Sequence, residues 1–258
     1  MQYGICNLSV VPVRRSAGHS SEMTTQLLFG ETFDILHKEE NWLQIQLHTD
    51  QYTGWIHQRQ YLALSAAALR ILNAQPGVLV SDLQSTVTEK SSGNTFPLLM
   101  GSRLILPVEN QFGFAGETYF FKGNIITPQA EKSDIIHFAA RYLGAPYLWG
   151  GRTHFGIDCS GFTQMVYRLA GFDLPRDASQ QALAGETLGF LSEAEAGDLL
   201  FFDNDEGNIT HVGILYNAHQ IIHASGKVRI DTIDHNGIFN ADLQKYTHNL
   251  RLIKRRGR

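Results

Sequence analysis

The period of the apolar residues changes part way along this 258-residue chain. Up to about residue 128 they alternate with polar residues in short runs broken by turns, with almost no helical spacing. Residues 29–36, 42–47 and 52–56 read as short strands of a meander, and 104–108 and 118–123 as strands of a second, divergent set. Helical spacing begins later. Residues 133–143 read as a helix with Ser133 as N-cap, ended by Gly144-Ala145-Pro146, because proline biases its predecessor away from helix. Phe162, Met165, Val166 and Leu169 mark one face of a second helix that Gly171 stops in the left-handed conformation. Strand patterns then return over residues 198–225. The expected architecture is an all-β first half of small barrels followed by an α+β domain. A chain of 258 residues has room for two or three such units.

The second helix opens on a thiol. In Gly156-Ile157-Asp158-Cys159-Ser160-Gly161-Phe162 the cysteine lies in the first turn, where unpaired amides and the positive dipole end favour a thiolate. A lone cysteine is more often a small buried hydrophobe. Here Asp158 and Ser160 flank it, Gly150-Gly151 and Gly156 surround it with flexible backbone, and His211 and His223 follow.

Those two histidines sit on adjacent strands, and the loop between the strands decides whether they meet. A three-residue loop of Asn217, Ala218 and His219 places His223 opposite Gly213, on the same face as His211 and about 7 Å away along the diagonal. A two-residue loop would put them on opposite faces. Gly213 has no side chain to fill the gap between them. Cys159 is therefore read as nucleophile, His211 as general base and His223 as the residue that fixes the base's tautomer. The same residue types could hold a metal, but there is no Cys-x-x-Cys and no histidine pair at i, i+4, so neither metal nor cofactor is expected. The other histidines, including His19, His37, His48, His57, His137 and His248, read as surface or packing residues.

From these motifs the chain resembles the NlpC-type cysteine peptidases, papain-like enzymes that cut peptidoglycan stem peptides. The resemblance runs from about residue 133 to 253. It rests on Tyr147-Leu148-Trp149-Gly150-Gly151, Asp158-Cys159-Ser160-Gly161-Phe162, Leu174-Pro175-Arg176-Asp177, Ala196-Gly197-Asp198-Leu199-Leu200-Phe201-Phe202, His211-Val212-Gly213-Ile214 and Ile222-His223-Ala224. It implies the same triad roles and a Tyr147 hydroxyl that joins the Cys159 amide at the tetrahedral oxyanion. The first half resembles bacterial SH3-like domains through Gly30-Glu31, Trp42 and Gly54-Trp55-Ile56, although simple core packing is expected for at least one of Trp42 and Trp55. The implied partition is residues 1–63 as an SH3-like domain, 64–128 as a second, divergent SH3-like β domain, and 129–258 as the papain-like peptidase.

Within that family the resemblance points to a subgroup with N-terminal SH3-like domains that cleaves after γ-D-glutamate in peptides beginning with a free L-alanine. It implies Asp177, Glu22 and Tyr52 as recognition residues for the free amine. Asp158, Ser160 and Arg176 are implied as contacts to the substrate backbone or the D-glutamate carboxylate. The competing readings are a general wall hydrolase or amidase on the same scaffold, and a non-catalytic wall-binding protein.

Composition narrows the partners. A formal charge of -4 and a pI of about 6.2 leave no basic footprint for nucleic acid, and the closing Lys254-Arg255-Arg256 reads as a solvated tail. Met1 to Val13 lacks the pattern of a secretory signal and no stretch is long enough to span a membrane. With only two cysteines, one needed reduced, the expectation is a cytoplasmic monomer acting on soluble murein peptides during cell-wall recycling.

Overall fold

A computed structural model describes residues 2–75, 77–114, 116–129 and 131–256. The chain divides into two compact units, Met1–Pro128 and Gln129–Arg258.

The first unit is built from short antiparallel strands. β1 (Gln2–Ile5), β2 (Val10–Arg14), β3 (Met23–Leu28), β4 (Thr32–Glu39), β5 (Trp42–Leu47), β6 (Thr53–His57) and β7 (Leu62–Leu64) form one sheet in the order β3-β2-β6-β5-β4-β1-β7. Helix α1 (Ala66–Ala74) follows, capped by the Ser65 side chain. Then come β8 (Gly77–Val80), β9 (Gln84–Glu89), β10 (Thr95–Leu99), β11 (Arg103–Ile105), β12 (Gln111–Phe114), β13 (Glu117–Lys122) and β14 (Ile125–Ile126). They make a four-stranded sheet, β10-β9-β13-β12, and a three-stranded sheet, β11-β8-β14. Ile5, Phe29, Leu64 and Leu72 share one apolar cluster with Val78, Val87, Phe112 and Tyr119, so the earlier and later strands bury a common core.

Strand alternation corrects the expectation for the tryptophans. Along β5 the inward positions are Leu43, Ile45 and Leu47, which pack with Ile56 of β6. Trp42 and Trp55 are only half-buried. Trp42 meets His19 and His57 edge-on, with ring centroids 4.9 and 5.5 Å away, and Trp55 meets His37 edge-on. A period of two forces this: once the aliphatic residues face the core, their neighbours cannot.

The second unit packs helices on a closed sheet. α2 (Lys132–Arg141) is followed by the short hairpin β15 (Arg152–Thr153) and β16 (Gly156–Ile157), then α3 (Cys159–Leu169), α4 (Ala178–Gln181) and β17 (Glu186–Leu188). The N-cap of α2 is Glu131 and not Ser133, which lies inside the helix. β18 (Leu199–Asp203), β19 (Ile209–Asn217), β20 (Gln220–Ser225), β21 (Lys227–Asp234), β22 (Gly237–Asn240) and β23 (Lys245–Arg255) pair in sequence order. β23 also pairs with both β18 and β22, so the six strands close on themselves, with β17 added on β23. Leu200, Phe202, Leu215, Ile221, Ile233, Ile238 and Ile253 form the apolar core of this sheet.

The run Lys254-Arg255-Arg256 is therefore no solvated tail. Lys254 and Arg255 lie in β23, and Arg255 Nη2 sits 2.8 Å from Oδ2 of the buried Asp198. Lys132 Nζ of α2 reaches the other oxygen of Asp198 at 2.9 Å. One buried carboxylate thus ties the first helix of the unit to its last strand. Two cations compensate for its desolvation and hold the carboxyl below its ordinary value.

Candidate active site

Helix α3 begins at Cys159 because Asp158 caps it. The Asp158 carboxylate accepts the Gly161 N–H at 2.6 Å and the Gly150 N–H at 2.8 Å, so one side chain fixes the helix start and the preceding glycine loop. The helix ends at Leu169 and Gly171 takes φ +89°, the stop its position suggests. Its burial goes beyond the single apolar face expected, since every residue except Arg168 is buried. Polar residues on the remaining faces find partners inside the protein. Thr163 Oγ1 donates to Gln181 Oε1 at 2.7 Å and Gln164 Nε2 donates to the Leu174 carbonyl at 3.1 Å.

Asp158, Ser160 and Arg176 come together, but as a buried network among themselves. Arg176 Nη2 lies 2.6 Å from Asp158 Oδ2, and Arg176 Nη1 donates to Asp158 Oδ1 at 3.1 Å and to Ser160 Oγ at 2.9 Å. Arg176 is 2% exposed and Asp158 4%. The bidentate geometry is the one that makes a buried pair tolerable. Asp177 follows as N-cap of α4, half-buried and making no side-chain cap bond.

The β19–β20 hairpin brings the two histidines together by a different loop from the one expected. Asn217 pairs with Gln220, leaving only Ala218 and His219 as the loop, and a register shift between Leu215 and Asn217 inserts Tyr216 as a bulge. A two-residue loop plus one bulged residue has the parity of a three-residue loop, so Gly213 still opposes His223. The glycine is required, because a Cβ at 213 would lie 2.9 Å from the His223 Cβ. Across the gap His211 Nε2 and His223 Nδ1 are hydrogen-bonded at 2.8 Å with rings nearly perpendicular, at 83°.

Cys159 meets the same strand. Its sulfur takes backbone hydrogen bonds from Val212, next to His211, and from Ser160. Burial pushes the thiol up to about 11, Asp158 adds to the rise, and the Val212 and Ser160 amides and Arg176 act the other way. His211 is held well below its ordinary value by burial and by the neighbouring His223 and His248. Before substrate arrives the site thus holds a neutral thiol and a neutral imidazole. The helix terminus does not outweigh desolvation, so a thiol in this setting can act as a nucleophile only with a base to take its proton. The Tyr147 hydroxyl, half-buried, is pushed up to about 12 by burial and by the nearby Cys159 and Asp158, which keeps it a donor. Its backbone N–H bonds to the Gly226 carbonyl at 2.9 Å, which pins the loop that carries it.

Two residues of the cluster were not singled out by the sequence. Asp231 Oδ2 lies 3.0 Å from His223 Nε2, and Arg229 Nε lies 2.7 Å from the same oxygen. Burial works to raise the Asp231 carboxyl, and its bonds with His223 and Arg229 outweigh it and hold the group below the ordinary carboxylate value. His248, read as a surface or packing residue, stacks on His211 with centroids 4.1 Å apart and planes at 28°. Neither stands in a local motif. Asp231 alternates along β21 like any strand acid, and His248 reaches the site because β23 closes the sheet.

Glu22 and Tyr52 belong to the first unit. Glu22 directly precedes β3, with its carboxylate 2.8 Å from Arg15 Nε. Tyr52 directly precedes β6, and its N–H donates to Asp50 Oδ1 at 3.0 Å. Among the described residues no group of three histidines, cysteines or carboxylates is arranged to hold a metal, and no helix is long and apolar enough to cross a membrane.

Comparison with known proteins agrees with the architecture. Residues 144–247 match the NlpC/P60 family and residues 13–60 match the bacterial dipeptidyl-peptidase Sh3 domain. A gamma-D-glutamyl-L-lysine dipeptidyl-peptidase of Bacillus subtilis (strain 168) is 31% identical over 220 residues, 78% of this chain and 71% of that protein. One of the same name from Bacillus cereus is 28% identical over 232 residues, 80% of this chain and 68% of that protein. The crystal structure of a NlpC/P60 family protein from Bacillus cereus superposes with a TM-score of 0.84 over 98% of this chain and 99% of the other at 20% identity, a likeness of fold.

Proposed function

We infer the reaction from one premise: the chain belongs to the NlpC/P60 family and is a cysteine peptidase. Its substrate is a soluble stem peptide with a free L-alanine amino terminus, cleaved between γ-D-glutamate and the following diamino acid. The observation that carries the reading is the buried 2.8 Å bond between His211 and His223 beside the start of the Cys159 helix, an arrangement suited to general-base activation of a thiol.

In the acylation step His211 takes the thiol proton as Cys159 sulfur forms its bond to the γ-carbonyl carbon. The Cys159 amide and the Tyr147 hydroxyl stabilise the resulting oxyanion. His211 then gives the proton to the departing amine as the C–N bond breaks. In the second step water, deprotonated by His211, attacks the thioester and L-alanyl-D-glutamate leaves as the thiol is restored. The relatives' name favours lysine as the leaving diamino acid, with meso-diaminopimelate as the alternative. Asp177, Glu22 and Tyr52 enter this proposal as amine-recognising residues on the strength of the resemblance. Asp158, Ser160 and Arg176 enter it as the frame that holds the nucleophile's helix and bounds the D-glutamate site.

We place the enzyme in the cytoplasm as a monomer of peptide recycling, since a thiol nucleophile works best in a reducing compartment. Mass spectrometry of L-Ala-γ-D-Glu-L-Lys, its meso-diaminopimelate counterpart and their N-acetylated forms, with wild type and Cys159→Ser, tests the substrate. Cleavage restricted to free-amine peptides and lost in the variant supports recycling. Cleavage of acetylated peptides would return the enzyme to general wall hydrolysis, and fractionation of the native host tests the location.

A further inference from the structure

We propose that Asp231 is a positioning residue that fixes the tautomers of both histidines, extending the catalytic relay one residue beyond the expected triad. The role rests on the assignment of Cys159 as nucleophile and His211 as base, and it follows from hydrogen-bond polarity along a single buried line.

An ionised carboxylate only accepts. Asp231 is buried and paired with Arg229, which keeps it ionised at neutral pH. Its 3.0 Å bond to His223 Nε2 therefore needs the proton on that nitrogen. In the neutral form of the His223 ring that N–H is its one ring proton, and Nδ1 carries a lone pair. Facing His211 Nε2 at 2.8 Å, it must accept. His211 then bears its proton on Nε2, and Nδ1 is left with the lone pair a general base requires. When His211 takes the thiol proton on Nδ1, the Nε2–H stays bonded to His223, and no proton has to reach Asp231.

Without an obligate acceptor at position 231 the line can run backwards. A donor there would put the proton on His223 Nδ1, which would then donate to His211 Nε2 and leave the proton on His211 Nδ1, the nitrogen the base needs free. Arg229 is the second support. Its Nη2 donates to Asp231 Oδ1 at 2.8 Å and to Asp242 Oδ2 at 2.9 Å, so the carboxylate is held in orientation as well as in charge.

Long-range 1H–15N correlation of the imidazole rings in the full chain reads the tautomers directly. Wild type is expected to show Nε2–H on both His211 and His223. A wild-type Nδ1–H tautomer on His211 would overturn the proposal without any variant. Asp231→Asn, whose amide can donate, should shift His211 toward Nδ1–H and lower kcat about 100-fold or more with KM little changed. Wild-type tautomers and kcat in Asp231→Asn would also overturn it. If the free-amine peptide is not hydrolysed by wild type, the substrate reading fails while the tautomer result stands.

Discussion

The ring of His248 lies flat on the ring of His211, 4.1 Å between centroids. His223 and Phe202 bound the same imidazole, at 5.1 and 5.7 Å, so His211 is confined on several sides. An aromatic stack of this kind contributes roughly 0.5–1.5 kcal/mol. His248→Ala should lower kcat by about 2- to 10-fold through a loosened base, whereas His248→Phe should stay near wild type. Steady-state kinetics of the pair distinguishes stacking from a need for the second imidazole's nitrogen.

The same packing makes stability depend on pH. His211 and His248 have folded values below the ordinary 6.5, the latter down to about 4, chiefly through burial. The unfolded chain binds more protons than the folded one below pH 6.5, so their contribution is present above that pH and is lost as pH falls toward 4. For His248 alone the loss is on the order of 2 kcal/mol after allowing for partial exposure. Urea midpoints at pH 7.5 and 4.5 should differ, and His248→Phe should narrow the gap.

Alkylation separates the two thiols by access and by base. Cys6 is fully buried and raised to about 12 by burial, so iodoacetamide should leave it untouched in the folded protein. Cys159, near 11 through burial, should react with a rate that climbs across pH 7 to 10 without an early plateau. His211→Ala should slow the reaction near pH 7 by about 10-fold or more. A plateau below pH 7 would mean a preformed thiolate and sink the neutral-pair description.

Breaking the buried pair under the helix should cost more than losing it whole. Arg176→Met leaves Asp158 as an uncompensated buried charge, at about 3–5 kcal/mol. Adding Asp158→Asn removes that charge and should recover part of the loss. Equilibrium denaturation of the two variants reads the difference.

Glu22→Ala tests amine recognition apart from the nucleophile. Its ion pair with Arg15 is exposed, so stability should change little. Turnover of the free-amine tripeptide should fall by about 10-fold or more, the worth of a charged hydrogen bond, while Cys159 alkylation stays the same. Equal turnover would remove Glu22 from the proposal.

Much of the second unit is legible because its signals are local. Gly171 announces the helix stop and Gly213 the space between strands, each within a few residues of what it controls, whereas the Asp158 cap was shown only by the structure. The His211–His223 meeting is legible through parity alone. The expected loop was wrong by one residue, yet the bulge at Tyr216 restored the alternation, since only the odd or even count decides the face. Trp42 and Trp55 were misjudged because residue type outweighed the alternation that Leu43, Ile45 and Leu47 had already set.

The sequence by itself determined that Cys159 opens a helix, that His211 and His223 lie on adjacent strands facing the same way, and the general order of β and α+β units, because these depend on spacing over a few residues. Only the tertiary structure decided what surrounds them. Closure of β23 onto both β18 and β22 carries His248 to His211 and makes Lys254 and Arg255 part of a sheet. Pairing of β20 with β21 brings Asp231 to His223. Burial then sets the protonation of the thiol and the base, a property of the dielectric around a group that no stretch of neighbouring letters contains.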